Sequence, residues 1–188
     1  FDGLDQMEYP MMVNDNPLEE KADEIELTDH EIFHTMFPFY MGINETKYAW
    51  MDEGFTEWAT DRVEEYYREQ FSRKTLLNDP DALRKNDSAA VVPPAYHQDI
   101  YRGYLTLAKS GKEEPMSTHA DHYNTNYAYS NAAYSKGGVF MEQLGYIVGA
   151  DVRDKILLEY YRLWHGKHPN AQDFINVAEK VSGMKLDW

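Results

Sequence analysis

The stretch that most constrains this chain is His30-Glu31-Ile32-Phe33-His34, followed by Glu53 in Trp50-Met51-Asp52-Glu53-Gly54-Phe55. On a helix, residues four apart share a face, so His30 and His34 can turn one ring nitrogen each toward the same ion. Glu53 is the third ligand candidate, an acidic one, with eighteen residues between it and His34. Two neutral imidazoles and one carboxylate leave a tetrahedral zinc with one open position, the arrangement of a hydrolytic site. Glu31 then stands beside that position, placed to take a proton from a zinc-bound water.

The spacing therefore predicts a zinc helix carrying His30 and His34. Thr28-Asp29-His30-Glu31 has the form of a capping box, but that cap would bend Glu31 back to the Thr28 amide and spend it. A helix starting earlier, near Pro17, is preferred. A second helix is expected from about Tyr48 to Arg68, with Phe55, Trp58, Ala59 and Val63 as its apolar stripe. Glu53 lies in its first turns. Glu57, one turn on, either accepts the far N–H of a ligand histidine or belongs to a solvated acidic face.

Before the zinc helix, Met7 to Val13 reads as a strand, with Pro10 implying an edge or bulge. Asn14 to Pro17 reads as a turn, and Leu76 to Pro94 as a loop. Helices are expected over Gln98–Ser110, about Ser135–Val148 (Tyr134 at its start), Val152–Trp164 and Ala171–Val181. Asn170 is a candidate cap for the last of these and Gly183 its stop. Gly111 to Asn126 reads as a polar loop. Gly137-Gly138 inside a helix costs up to roughly 1 kcal/mol each relative to Ala, which the close approach of another element would explain. His97, His119 and His122 have no partner at ligand spacing and read as surface or hydrogen-bonding residues. His165 and His168 read as cap-region residues at a helix end.

Three blocks carry a family resemblance: Met7-Glu8-Tyr9-Pro10, the segment His30 to Glu53 with its following Gly54-Phe55, and Ala133-Tyr134-Ser135-Lys136-Gly137-Gly138. With the ending Val181 to Trp188, the chain resembles the zinc-binding core of the alanyl aminopeptidase family of gluzincins, the aminopeptidase N-like enzymes. It departs from the family's motifs at Asp5 and Tyr9 (Gly and Asn there), at Thr35-Met36 and at Asp52, where the family has Asn. None of these removes a reacting group.

The resemblance implies a mainly α chain with a short N-terminal β segment, a thermolysin-like catalytic domain incomplete at both ends. Over residues 1–188 it implies an edge-strand segment (1–16), the zinc-ligand helices (17–72), a loop-rich insert (73–126) and a helical part with an oxyanion Tyr (127–188). Tyr134 is the implied oxyanion donor, with Tyr129 a weaker candidate for the same wall. Glu8 is the implied partner of the substrate's free α-ammonium. The expected activity is a zinc-dependent aminopeptidase with one Zn²⁺ per chain, acting on peptides with a free N-terminus. A thermolysin-type endopeptidase and a non-catalytic gluzincin-like binding module are the alternatives.

The net charge of −15 argues against nucleic acid and anionic membrane surfaces as partners. An acidic cleft suits an ammonium-bearing substrate. The chain has no Cys, so disulfides are excluded. No apolar run approaches the length of a membrane helix. The ends look cut, so no signal peptide is expected to be visible. A periplasmic or secreted location is slightly favoured, and the oligomeric state stays open.

Overall fold

The computed structural model describes residues 6–19, 21–78 and 98–186. Of the expected loop over Leu76–Pro94, residues 79–94 lie outside them, as do His97 and Asp5, while Leu76–Asn78 are helical instead. A hairpin comes first, β1 (Met7–Tyr9) and β2 (Met12–Asn14), antiparallel with Glu8 opposite Val13. The expected single strand over Met7–Val13 is therefore two. Pro10 sets φ for the first central position of a tight turn, and Met11 takes φ 64° at the second. Among the described residues β1 has no second neighbour, so one of its edges is free.

Helix α1 spans Lys21–Phe33. Its start lies seven or more residues before Thr28, whose hydroxyl instead donates to Asp15 Oδ2 at 3.1 Å. The capping box does not form. The chain then turns through Thr35–Tyr40, where Phe37 leaves helical geometry (φ −122°, ψ 106°).

Helix α2 spans Ala49–Asn78, well past the expected end near Arg68. No helix breaker interrupts Glu69 to Asn78. Helix α3 spans Gln98–Ser110, as expected. A 3₁₀ turn over Ala120–His122 interrupts the polar segment after it.

Tyr134 does not stand at a helix start. It lies inside a continuous helical run made of α4 (Asn126–Ser130), a π-helical segment (Asn131–Lys136) and α5 (Gly137–Val148). The run begins early because the Thr125 hydroxyl accepts from the Ala128 amide at 3.1 Å. Helices α6 (Ala150–Trp164) and α7 (Ala171–Ser182) close the chain. Asn170 and Asp173 form a reciprocal capping box on α7, and Gly183 ends it at φ 69°.

The core lies where α2 meets α5, α6 and α7. Trp50, Phe55, Met141, Ile156, Tyr160 and Phe174 are all buried there. Edge-on and tilted ring pairs link Trp50 to Phe55, Phe55 to Phe174 and Tyr160 to Phe174, with centroids 5.0–5.6 Å apart. Each such pair contributes roughly 0.5–1.5 kcal/mol beyond its buried area. Buried Arg153 stacks over the Trp58 ring at 4.5 Å and pairs with Glu142 at 3.3 Å.

The Gly137 anomaly resolves at the crossing of α2 and α5. A Cβ on Gly54 would lie 2.5 Å from the Gly137 Cα, and one on Gly137 would lie 2.7 Å from the Gly54 Cα. The two backbones touch, and only glycine at both positions allows it. This contact holds the residue after Glu53 against the turn after Tyr134. Among the described residues no helix is long and apolar enough to cross a membrane.

Candidate metal centre and substrate cleft

His30 sits in the last turn of α1 and His34 just beyond it, while Glu53 sits in the first turns of α2. The crossing of these helices brings three ligand atoms together. His30 Nε2 and His34 Nε2 are 3.1 Å apart, and Glu53 Oε2 lies 3.4 Å and 3.3 Å from them. A tetrahedral ion with bonds of about 2.0–2.1 Å holds its ligands about 3.3 Å from each other. Glu53 Oε2 is also buried without a hydrogen bond. The donor set and its spacing therefore fit a zinc-sized ion with one open position.

The outer nitrogens are held as well. Glu57 Oε2 lies 3.4 Å from His30 Nδ1. His34 Nδ1 lies 2.8 Å from the Phe37 carbonyl, which also accepts from the Thr56 hydroxyl at 3.1 Å. Asp52 Oδ1 approaches the same nitrogen at 2.8 Å, yet makes no hydrogen bond.

Electrostatics follow from burial and these contacts. Burial alone would depress His30 and His34, but the carboxylates around them win. Glu53 and Glu57 lift His30 to about 9, and Asp52 and Glu53 lift His34 to about 11. Burial would raise Glu53, but the two histidines pull it down to about 2. It is ionised, as a ligand must be. Burial raises Asp52 to about 7, with the Glu53 and Glu8 charges adding to the rise against His34.

Glu31 is 5% exposed, and its Oε2 is buried without a partner. Burial lifts it to about 7. A carboxylate near that value can both take and return a proton at neutral pH. The Tyr134 hydroxyl donates to Glu53 Oε1 at 2.7 Å, and its ring stacks on His30 with centroids 6.1 Å apart. Burial and the Glu53 charge push its pKa well above the usual tyrosine value, so it is a neutral donor.

These residues line a cleft of about 580 Å³. Glu8 enters it from β1. It is 7% exposed and has no hydrogen bond or ion pair among the described residues. Tyr129, raised to about 12 mainly by burial, forms another part of the wall. Glu45, Thr46 and Ala120 complete the rim, where the Ala120 amide donates to the Thr46 carbonyl at 2.8 Å. Among the described residues no Lys or Arg lines the cleft.

The sequence reading picked out His30, Glu31, His34, Glu53, Glu57, Tyr134 and Glu8; the structure gathers six of them around one cleft and places Glu57 behind His30, outside it. It missed Thr56 and Asp52 as neighbours of His34. Thr56 stands three residues after Glu53, on the same helix face, which is a readable signal. The Phe37 carbonyl and the Thr46–Ala120 rim carry no side-chain signature. His119 and His122 bring their rings within 4.9 Å but gather no third ligand among the described residues.

A family model described as the peptidase family M1 domain matches residues 5–188. No curated protein matches the chain, and no solved structure does.

Proposed function

The chain belongs to peptidase family M1 and is a metallopeptidase with a gluzincin catalytic domain, and from that premise we propose that it is a zinc aminopeptidase, removing N-terminal residues from peptides. Glu8 carries the reading. A carboxylate 7% exposed, lining a cleft beside a metal triangle, without a partner among the described residues, costs folding free energy unless a cation meets it there. The free α-ammonium of a peptide is a cation of the right kind. Its pairing with Glu8 fixes the register so that the first peptide bond reaches the metal.

In this reading His30, His34 and Glu53 hold one zinc ion. When bound, zinc supplies Lewis acidity, which brings the pKa of water toward roughly 7 and polarises a carbonyl. Glu31 takes a proton from the attacking water and passes it to the leaving amine. Its placement on α1, between the two ligand histidines, and its value near 7 suit both transfers. The Tyr134 hydroxyl donates a hydrogen bond to the developing oxyanion and keeps its proton; one such donor contributes roughly 10²–10³ in kcat. Glu57 holds His30 from behind.

Free and N-acetylated copies of one short peptide provide the test. The zinc-loaded chain is expected to cleave the free copy and ignore the acetylated one. Glu8→Ala should lose most activity on the free copy with zinc content unchanged. Internal cleavage of acetylated peptides, indifferent to residue 8, would establish a thermolysin-type endopeptidase instead.

A further inference from the structure

Glu45 is the charged group of the cleft wall that the proposed reaction leaves without a task. The metal triangle, Glu31 and Glu8 are all engaged, and Asp52 lies against His34 Nδ1 at 2.8 Å. Glu45 lines the same cleft from the segment between α1 and α2, but it stands at the mouth, exposed on one side. Among the described residues its carboxylate has no hydrogen bond or ion pair. Lys47, the nearest cation along the chain, does not answer it. The Lys47 ammonium rests over the Tyr48 ring, 5.4 Å from the centroid, and Lys47 is no part of the cleft wall. The backbone that carries Glu45 is pinned. Asn44 accepts from the Tyr48 amide at 2.8 Å through its carbonyl and from the Lys47 amide at 2.9 Å through its side chain. The Thr46 carbonyl accepts from the Ala120 amide at 2.8 Å. Little backbone ordering is left for a ligand to impose.

Its surroundings say which part of a substrate it meets. Loss of hydration raises Glu45 above the usual carboxylate value, and the charges of Glu8 and Glu53 add to the rise against His34. Glu45 therefore lies within electrostatic reach of both ends of the reacting unit, the amine carboxylate and the metal triangle. The first residue of a bound peptide spans those two ends, and its side chain leaves the α-carbon between them. A Lys or Arg there carries its charge on a long flexible stem, which can lie along the wall and deliver the charge to the mouth. An acidic side chain would meet Glu8, Glu45 and Glu53 together, with no Lys or Arg among the described lining residues to receive it. We propose that Glu45 selects peptides whose first residue has a cationic side chain, Lys or Arg. This rests on the aminopeptidase reading above and adds to it the class of residue removed.

Lysyl and norleucyl 4-nitroanilide differ chiefly in the side-chain ammonium, so the ratio of their kcat/KM values reads the charge. On the zinc-loaded full chain at low salt the ratio should favour the lysyl reporter roughly tenfold, between the effect of an exposed ion pair and that of a hydrogen bond to a charged group. Glu45→Gln keeps the shape of the side chain and removes its charge. It should bring the ratio to within about twofold of unity, mainly through the KM of the lysyl reporter, with zinc content unchanged. Glu45→Lys should reverse the preference. Tripeptides with Lys or norleucine in the first or the second position place the effect, which is expected at the first. No lysyl preference in the unaltered chain would overturn the assignment. So would a preference that survives Glu45→Gln, since the acidity of the whole cleft would then be the selector, and so would a preference found only at the second position. Equal cleavage of N-acetylated and free lysyl reporter would remove the aminopeptidase reading itself. Rejection of the acetylated reporter, with an unmoved ratio in Glu45→Gln, removes only the role of Glu45.

Discussion

Gly54→Ala tests whether the crossing of α2 and α5 positions the chemistry. The added Cβ would meet the Gly137 Cα at 2.5 Å, its carbonyl carbon at 2.7 Å and the Ala133 oxygen at 2.9 Å. All three are backbone atoms, so no side chain can swing away. Carbon atoms rest about 3.5–4.0 Å apart, so the helices must separate by about 1 Å. Overpacking of this kind costs roughly 1–3 kcal/mol, and the better helix propensity of Ala returns up to about 1 kcal/mol. The net loss is about 1–2 kcal/mol, a fall in melting temperature of roughly 2–8 °C for a chain of this size. The functional loss should exceed the stability loss. Glu53 precedes Gly54, and Tyr134 is one turn before Gly137, so the 2.7 Å Tyr134–Glu53 contact spans the same crossing. A displacement near 1 Å there should lower kcat roughly 10²-fold. Melting curves, zinc content and kcat on a free-amine reporter read the three effects. Gly138→Ala is the control, since its Cβ would meet side chains and no backbone, Ile100 at 3.3 Å and Glu57 Cγ at an ordinary 3.6 Å, for a change within about 1 kcal/mol. A Gly54→Ala variant that melts at or above the parent with intact kcat would refute the argument.

Glu31→Gln should keep zinc and lose several orders of magnitude in kcat, more than the roughly 10²–10⁴ of a general base, because proton delivery to the leaving amine goes too; near-normal turnover would end that role. Tyr134→Phe should lower kcat roughly 10²–10³ with zinc unchanged, as measured by steady-state kinetics. Glu57→Gln should weaken zinc roughly 10–100-fold in a competition titration with a chelator, since His30 loses its charged support. Glu26 lies near 7, lifted by partial desolvation and by the Glu64 charge. An acid with a raised folded-state pKa is destabilising once ionised, so Glu26→Gln should stabilise the chain at pH 8. The gain should be at most about 1 kcal/mol for this exposed group and should vanish as pH falls toward 4.5. Denaturant unfolding at the two pH values reads the sign.

The histidine pair was legible because its geometry is local: a spacing of four on a helix needs no tertiary knowledge. Glu53 needed only the further assumption that two helices face each other. The hairpin was half legible, since Pro10 marked a break but not that the chain reverses there. The length of α2 was underread because Glu69 to Asn78 has no strong stripe. Gly137-Gly138 announced a close contact without naming the partner, which lies more than eighty residues away at Gly54. Asp52 was visible as a departure from the family's Asn, but its place beside His34 Nδ1 depends on how α1 packs against the start of α2. Such contacts have no sequence period.

The π-helical segment over Asn131–Lys136 has its own consequence. A π segment accommodates one residue more than an α-helix would over the same stretch, and each residue turns a helix by about 100°. With Gly137 pinned against Gly54, removal of Ser135 could leave an unbroken helix while swinging Tyr134 about 100° around the axis, away from Glu53. Removal of Ala132 would instead keep Tyr134 three residues before Gly137, and by taking out the extra residue it would leave Tyr129 and everything before it in phase. Folding senses only that the run stays helical, whereas the reaction senses its phase. Two single-residue deletions three positions apart should therefore yield chains of similar helicity, the first without its oxyanion donor and the second with donor and cleft wall both kept.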